Sequence, residues 1–411
     1  MVASTDIKFY VHTNTNAPQL TNNFGCMINV LDACLINGIN VGQATSLTAT
    51  GTAATLLFGT GHNLKQGQVI KIHGADQPEF NGEHRVLTIP NSNTVTFELL
   101  SPSSVSIATG TINASLPPLD WEKPFSGTGK AAYRSPNTML PTRPFLRVVD
   151  DMDAAWTSTY AKYAKVGIVE EMTDIDTMFG VQAPFDSASP NKNWVGTGSG
   201  SSAHNGWAKW FYALASNEDT SSIKSATPPE GARSWLVVGN SDCFYIFNRF
   251  HTDSRYGQRL LPQFFGAIDT DYSKVFGLAA VFDYTSASTS TAPFSATPVS
   301  ISDIANHLIL QRNHNLNAIP VFCNTKSPAG SNVRSGFSNY IAAPSGAVPV
   351  FSFKVPVYEG STPRGVMPLI EWLQQTTPYA DLTFFKDSQS YKIAANCMAY
   401  GDGQVLFNLG N

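Results

Sequence analysis

Along this chain apolar positions alternate with polar ones in short runs, and at one place they recur with the period of a helix. Between Phe24 and Gly38, the residues Met27, Val30, Leu31, Cys34 and Leu35 fall at i, i+3, i+4, i+7 and i+8. That spacing predicts a helix with one apolar stripe, stopped by Gly38. From about Gln43 to Ser115 the period drops to two, and residues 47–49, 54–58, 68–72, 84–89, 94–99 and 110–113 read as strands. Gly59, Gly61, Gly67, Gly74, Asn81-Gly82 and Pro90-Asn91 punctuate them as turns. The pattern predicts a small β-sandwich or barrel module at 43–115, inserted into a discontinuous β-rich core formed by 1–42 and 116–411. Its flanks, NGINVG before and LPPL after, suit chain exit and re-entry.

Past the module, residues 120–144 are rich in Gly, Pro and polar side chains and read as an extended arm rather than a regular element, which could lie on the rest of its own chain or, as in capsid and tail lattices, reach a neighbouring copy. Strands are then expected at 145–149, 165–170, 234–238, 243–247, 275–282, 348–355, 382–385 and 391–398. A closing hairpin is expected over 391–408, around Gly401-Asp402-Gly403. Short helices are expected at 302–311, with Ser302 as N-cap, and at 366–375. Residues 187–205 and 285–300 lack apolar periodicity and read as long loops, which suggests that they bind something or are ordered by a partner. No fixed-period repeat stands out, which removes solenoids and propellers as leading candidates. The fold class is therefore mainly β, a β-rich α+β chain with a sandwich- or barrel-like core and few short helices.

Composition sharpens this picture. With 411 residues the chain exceeds the ceiling of about 250–300 for one core, so two or three packed units are expected. Charged residues are 14% of it, against roughly 25% in an average domain, and Ser, Thr, Asn and Gly take their place. Such a surface can meet sister copies without burying unpaired ions. A net charge of −4, with no basic run, speaks against a nucleic-acid-binding protein. Cysteines 26, 34, 243, 323 and 397 are odd in number and lack any C-x-x-C spacing, so they read as reduced, buried apolar residues. The first residues show neither a basic nor an apolar run of a secretion signal, and no stretch of about 18 apolar residues predicts a membrane span.

Candidate chemistry is thin. Gly127, Gly129 and Lys130 miss the spacing of a phosphate loop, and Gly196, Gly198 and Gly200 lack a strand–turn–helix setting. Acidic clusters stand at Asp150, Asp151 and Asp153, at Glu170, Glu171, Asp174 and Asp176, and at Asp269 and Asp271. A pair drawn from Asp150, Asp151, Glu170 and Glu171 is the arrangement glycoside hydrolysis would use, and Asp174 with Asp176 could hold a cation. The plainer reading makes them strand ends and caps. His307 and His314 complete no metal motif, and His251, Asp253 and Arg255 have no nucleophile near them in a G-x-S-x-G setting. Aromatic residues gather at Trp194, Trp207, Trp210, Phe211 and Tyr212, and at Phe244, Tyr245, Phe247 and Phe250. Core packing is their commoner use, with interface anchoring or sugar stacking as alternatives. No residue is assigned as catalytic, cofactor-binding or metal-ligating, and no cofactor is implied.

Several strings carry a likeness of pattern: DIKFYVHTNTNAPQL, LDACLINGINVG, GHNLKQGQVIKIHGADQPEFNGEHRVLTI, WEKPFSGTGKAAYRSP, the pair LRVVDD and EEMTDIDT, and SWLVVGNSDCFYIF. Through them the chain resembles virion structural proteins encoded among the morphogenesis genes of tailed bacteriophages, and the inserted segment resembles the small β-modules on outer surfaces of phage heads and tails. The resemblance implies a non-enzymatic particle subunit, made in the bacterial host cytoplasm and present in several copies in the virion. Its partners would be copies of itself and other virion proteins, with no nucleic acid and no membrane. The tail or baseplate is the expected location; head decoration and an adhesin binding host-surface glycan are the alternatives.

Overall fold

The computed structural model describes residues 2–200, 203–204, 206–215, 224–252, 260–270, 273–282, 307–325, 352–373, 379–399 and 401–411. Strand β1 (Lys8–Val11) is buried along its whole length. The predicted helix follows as α1 (Cys26–Leu31), continued by a π-helical stretch at Asp32–Asn37. Its buried side chains include Met27, Val30, Leu31, Cys34 and Leu35, the apolar stripe of the sequence. Gly38 ends it at φ 73, and a Cβ there would lie 2.6 Å from the Leu116 carbonyl oxygen, so glycine is required.

Seven strands then form one antiparallel sheet: β2 (Ile39–Thr50), β3 (Ala53–Phe58), β4 (Val69–Ala75), β5 (Gly82–Arg85), β6 (Thr88–Asn91), β7 (Thr94–Glu98) and β8 (Gly110–Leu116), in the order β5-β4-β8-β2-β3-β7-β6. The alternating runs fall on these strands, the run at 84–89 being divided between β5 and β6. The sheet is wired to the rest of the chain. Buried Arg85 donates to the carbonyls of Ser4, Ile7, Gly67 and Leu409, and the Gln68 amide donates to Phe9 O and Asn14 Oδ1.

Residues 120–144 correct the expectation of an arm. They form the hairpin β9 (Glu122–Gly127) and β10 (Lys130–Arg134), and β10 pairs with β11 (Phe145–Val149) of the same chain. Gly129, at φ 63, makes the tight turn. Next come β12 (Lys162–Met172), β13 (Met178–Ala183) and β14 (Ala208–Ala213); β12 pairs with β14 through its first half and with β13 through its second.

The remaining strands are β15 (Trp235–Gly239), β16 (Cys243–Asn248), β17 (Leu261–Asp269), β18 (Lys274–Ala279), β19 (Val281–Phe282), β20 (Leu308–Leu310), β21 (Val321–Thr325), β22 (Ser352–Glu359), β23 (Thr362–Leu373), β24 (Phe384–Asp387), β25 (Ser390–Ala399) and β26 (Gly401–Asn408). Strand β19 completes the second sheet, β19-β14-β12-β11-β10-β9 with β13 on β12. All others join β1 in a sheet of twelve strands. Within it the pair Asp269↔Val366 links β17 to β23, which closes β17-β18-β20-β21-β22-β23 into a ring. The strands outside the ring form two arms, β1-β15-β16 and β26-β25-β24. Tyr245 and Phe247 of one arm meet the Phe407 ring of the other at 5.5 and 5.3 Å.

Strands β15 and β16, and β17 up to its last residue, are buried on both faces, which explains their largely apolar sequence. Trp235, Val237, Phe244, Ile246 and Phe265 join the core shared with α1 and the other two sheets, while Leu236, Val238, Tyr245, Phe247 and Phe264 face the opposite arm. The chain is thus nearly all β, with sandwich- and barrel-like sheets, as the pattern predicts.

Both later helices are overturned. Leu308–Leu310 is β20, held between β18 and β21, and residues 301–306 lie outside the described region. Residues 366–373 belong to β23. There Leu369 sits at φ 63, which breaks the two-residue alternation. Arg364, Met367, Ile370, Trp372 and Leu373 are buried, a spacing that departs from strict alternation where the pairing with β22 shifts register and so resembles a helix in the sequence. The hairpin expected at 391–408 is present as β25 and β26, whereas residues 285–300 and 348–351 lie outside the described region. No helix among the described residues is long and apolar enough to cross a membrane.

Candidate functional site

Among the described strands, β13 pairs only with β12, and the register shifts between Val169 and Glu171 so that Gly180 and Val181 stand opposite Glu170. Beside β13 runs a cleft of about 480 Å³. Gly180, Val181, Gln182, Pro184 and Phe185 form one wall; Trp207, Ile309, Ala318, Pro320 and Phe322 line the remainder. The position follows from the topology: β12 carries β13 beyond the end of β14, while β20 and β21 of the large sheet stand opposite. None of these lining side chains is charged. Phe185 is 46% exposed, and Phe179, next to the cleft on β13, is 49% exposed.

Ion pairs frame the cleft. Glu170 accepts the Val181 N–H at 2.8 Å through Oε2 and is bridged by Arg312, which joins the second sheet to the large one. Lys192 lies 4.6 Å above the Trp207 ring and 3.4 Å from Asp186. Behind β13, buried Arg147 rests 4.4 Å from the Trp194 ring and bonds Asp176 at 2.7 Å. An uncharged floor with a charged rim can bind an apolar or extended partner, and among the described residues its lining holds neither a nucleophile nor an acid–base pair.

The acidic clusters do other work. Asp150 is 1% exposed; it accepts the N–H groups of Met27 and Ile28 and the Tyr212 hydroxyl at 2.8, 3.4 and 2.6 Å, capping α1 from a distant strand. Burial pushes its pKa up, against the pull of those donors. Burial likewise opposes ionisation of Asp153, but the Ala155 and Gly196 N–H groups and Lys165 outweigh it and lower its pKa. Lys130 and Arg147 bind Asp176 and lower its pKa, and Asp174 accepts the Asp176 and Thr177 N–H groups of its own turn. Asp151 is exposed, and its Oδ1 accepts the Met152 N–H at 2.8 Å. Val149 pairs with Lys165 and Phe145 with Val169, so Asp150 is level with Ala164 and Glu170 lies six residues further along β12, roughly 20 Å away. Glycosidase carboxylates stand about 5–9.5 Å apart, so Asp150 and Glu170 do not form such a pair.

Other singled-out residues separate in space. Gly127 and Lys130 flank the β9–β10 turn, and a Cβ on Gly196 would meet Asp153 Oδ1 at 2.7 Å, so that glycine serves close backbone approach. His314 contacts Glu359 at 3.0 Å. Asp253, Arg255 and Asp271 lie outside the described residues. Trp194, Trp207, Trp210, Phe211, Tyr212, Phe244, Tyr245, Phe247 and Phe250 are all buried, so core packing is their use. All five cysteines are free and buried. Of the expected loop 187–205, residues 201, 202 and 205 lie outside the described region; Asn193 ties its described part down, its Nδ2 donating to Val166 O and its Oδ1 accepting from Trp207 and Ala208 N–H.

The cleft itself was not legible in the sequence. Its walls come from segments more than a hundred residues apart, and the one local signal was a six-residue run at 178–183 without charge or proline.

No family model matches the chain, and no curated protein matches it. Among solved structures, the phage phi92 endosialidase is similar over 90% of this chain and 70% of its own, at 10% identity and a TM-score of 0.18, too loose a superposition to define a shared fold.

Proposed function

We propose that this chain is a non-enzymatic structural subunit of a tailed-phage virion, placed in the tail or baseplate region and held by repeated contacts with copies of itself and with other virion proteins. The phage setting rests on the sequence strings that resemble such proteins. The observation that carries the structural role is a division of labour among side chains. Asp150, Asp153, Glu170, Asp174 and Asp176 are engaged in caps, turns and ion pairs, while Leu100, Met139, Ile107, Val195 and Ile319 stand 83, 89, 60, 56 and 56% exposed. Many copies of a modest apolar contact hold a ring or shell together by avidity.

Quantitative mass spectrometry of purified particles tests this reading: a fixed copy number is expected, and absence from particles would sink it. Head decoration would place the same chain on the capsid surface and is separated by imaging the particle. The adhesin reading draws on exposed Phe185 beside Gln182, a ring and an amide suited to a glycan. Specific binding of isolated glycans that Phe185→Ala abolishes would favour it instead.

A further inference from the structure

We infer that the sheet of β2 to β8 carries a cover for one end of the twelve-stranded sheet. Gln68 and Arg85, with Asn14, occupy the outward main-chain groups of β1 and so close that edge to strand addition by another chain.

Strand β1 ends the twelve-stranded sheet, and β15 is its one strand partner among the described residues. In an antiparallel pair, alternate residues turn their N–H and C=O groups away from the partner. The His12 N–H donates to Trp235 O at 3.1 Å, so His12, Tyr10 and Lys8 face β15, while Ile7, Phe9 and Val11 face outward. Such a row is a template for another strand. Here side chains take it. Arg85 Nη2 donates to Ile7 O and Gln68 Nε2 to Phe9 O, both at 3.0 Å. Asn14 takes both groups of Val11 at 2.9 Å, its Oδ1 accepting the Val11 N–H and its own N–H donating to Val11 O. The caps follow one another at the two-residue step a neighbouring strand would use.

The caps are fixed in place and dry. Gln68 and Asn14 exchange two amide hydrogen bonds of 2.9 Å, and Gln68 Oε1 also accepts the Lys65 N–H at 2.8 Å. Arg85 is anchored on Gly67 O at 2.7 Å and Leu409 O at 3.0 Å. All three side chains are buried. Strand β1 has little other defence, for its sequence is Lys-Phe-Tyr-Val and its one charge, Lys8, is engaged by Glu83 and Pro118 O. A tether between two sheets needs no such spacing; a stand-in for a missing strand does.

Sedimentation velocity and hydrogen exchange on the full chain test the cover. Gln68→Met with Arg85→Met keeps apolar bulk and removes the donors. Relative to wild type, this double variant is expected to self-associate about tenfold more tightly or better, with exchange of the Phe9 and Val11 amides slowing as concentration rises. Leu56→Ala, which opens the core of the same sheet away from β1, controls for lost stability and should associate no more than wild type. A double variant no more associated than wild type, or matched by Leu56→Ala, would overturn the inference. Should the double variant not fold, Gln68→Met alone decides: it frees Phe9 O and should show the same change to a smaller degree, and a folded single variant that behaves as wild type would overturn the inference equally.

Discussion

Asp150 joins three parts of the chain that sequence keeps far apart: its own strand end, the start of α1 and Tyr212 on β14. Asp150→Ala leaves those donors without a partner in a dry site and is expected to cost roughly 2–4 kcal/mol, with Asp150→Asn milder because an amide oxygen can still accept. The raised pKa sets a sign. A carboxyl whose folded-state pKa lies above its unfolded value contributes stability that is full below the ordinary carboxylate range and lost as pH rises through the folded value. The stability advantage of wild type over Asp150→Asn should therefore shrink between acid and neutral pH, as read by urea denaturation at each. Arg85 shows the same economy with the opposite charge. Burial pulls its pKa down to about 10, so it stays cationic at neutral pH while binding backbone carbonyls. Arg85→Met should destabilise the fold by roughly 2–4 kcal/mol in the same assay. The buried thiols give a kinetic readout: burial pushes Cys323 up to about 12 and raises Cys34, Cys243 and Cys397 as well. Those four thiols should react with a thiol reagent only as fast as the protein unfolds.

At the scale of elements, alternation and helical period located most of what they should. The helix is where its stripe requires, and the strands of residues 39–116 follow their apolar alternation. The failures have physical causes. Strand β23 departs from strict alternation where its pairing with β22 shifts register, and β9 and β10 are strands because β10 pairs with β11 and β9 with β10, despite Gly and Pro in β9. Residues 43–115 are proposed as an inserted module, and the structure sets the terms of a test. Ile39 pairs with Leu116 and Asn40 with Ser115, so the sheet begins just outside that boundary. Replacing 43–115 by a short Gly/Ser bridge is expected to leave the remainder folded but less stable, since the carbonyls held by Arg85 and Gln68 lose their donors. A cooperative thermal transition by circular dichroism checks this, and aggregation in its place would argue that the module is integral to the core.

At the scale of the whole molecule, three sheets share apolar cores, and the strands between them carry almost no polar residue on either face. If association proceeds through exposed apolar side chains, raising the ionic strength should change its strength little, because screening acts on exposed charges. Sedimentation equilibrium at low and high salt measures this. A steep loss of association in salt would point to a charged contact elsewhere on the surface.

By itself the sequence determined the β class, the position of α1, the burial of the cysteines and the character of a chain poor in ions, because each depends on local period or on composition. Tertiary structure alone decided that β17 meets β23 to close a ring, that Asp150 and Glu170 lie far apart, and that a cleft opens between β13 and the segment 309–322. Those outcomes depend on which strands find each other across long stretches of chain, and pairing partners leave no periodic mark on the residues that await them.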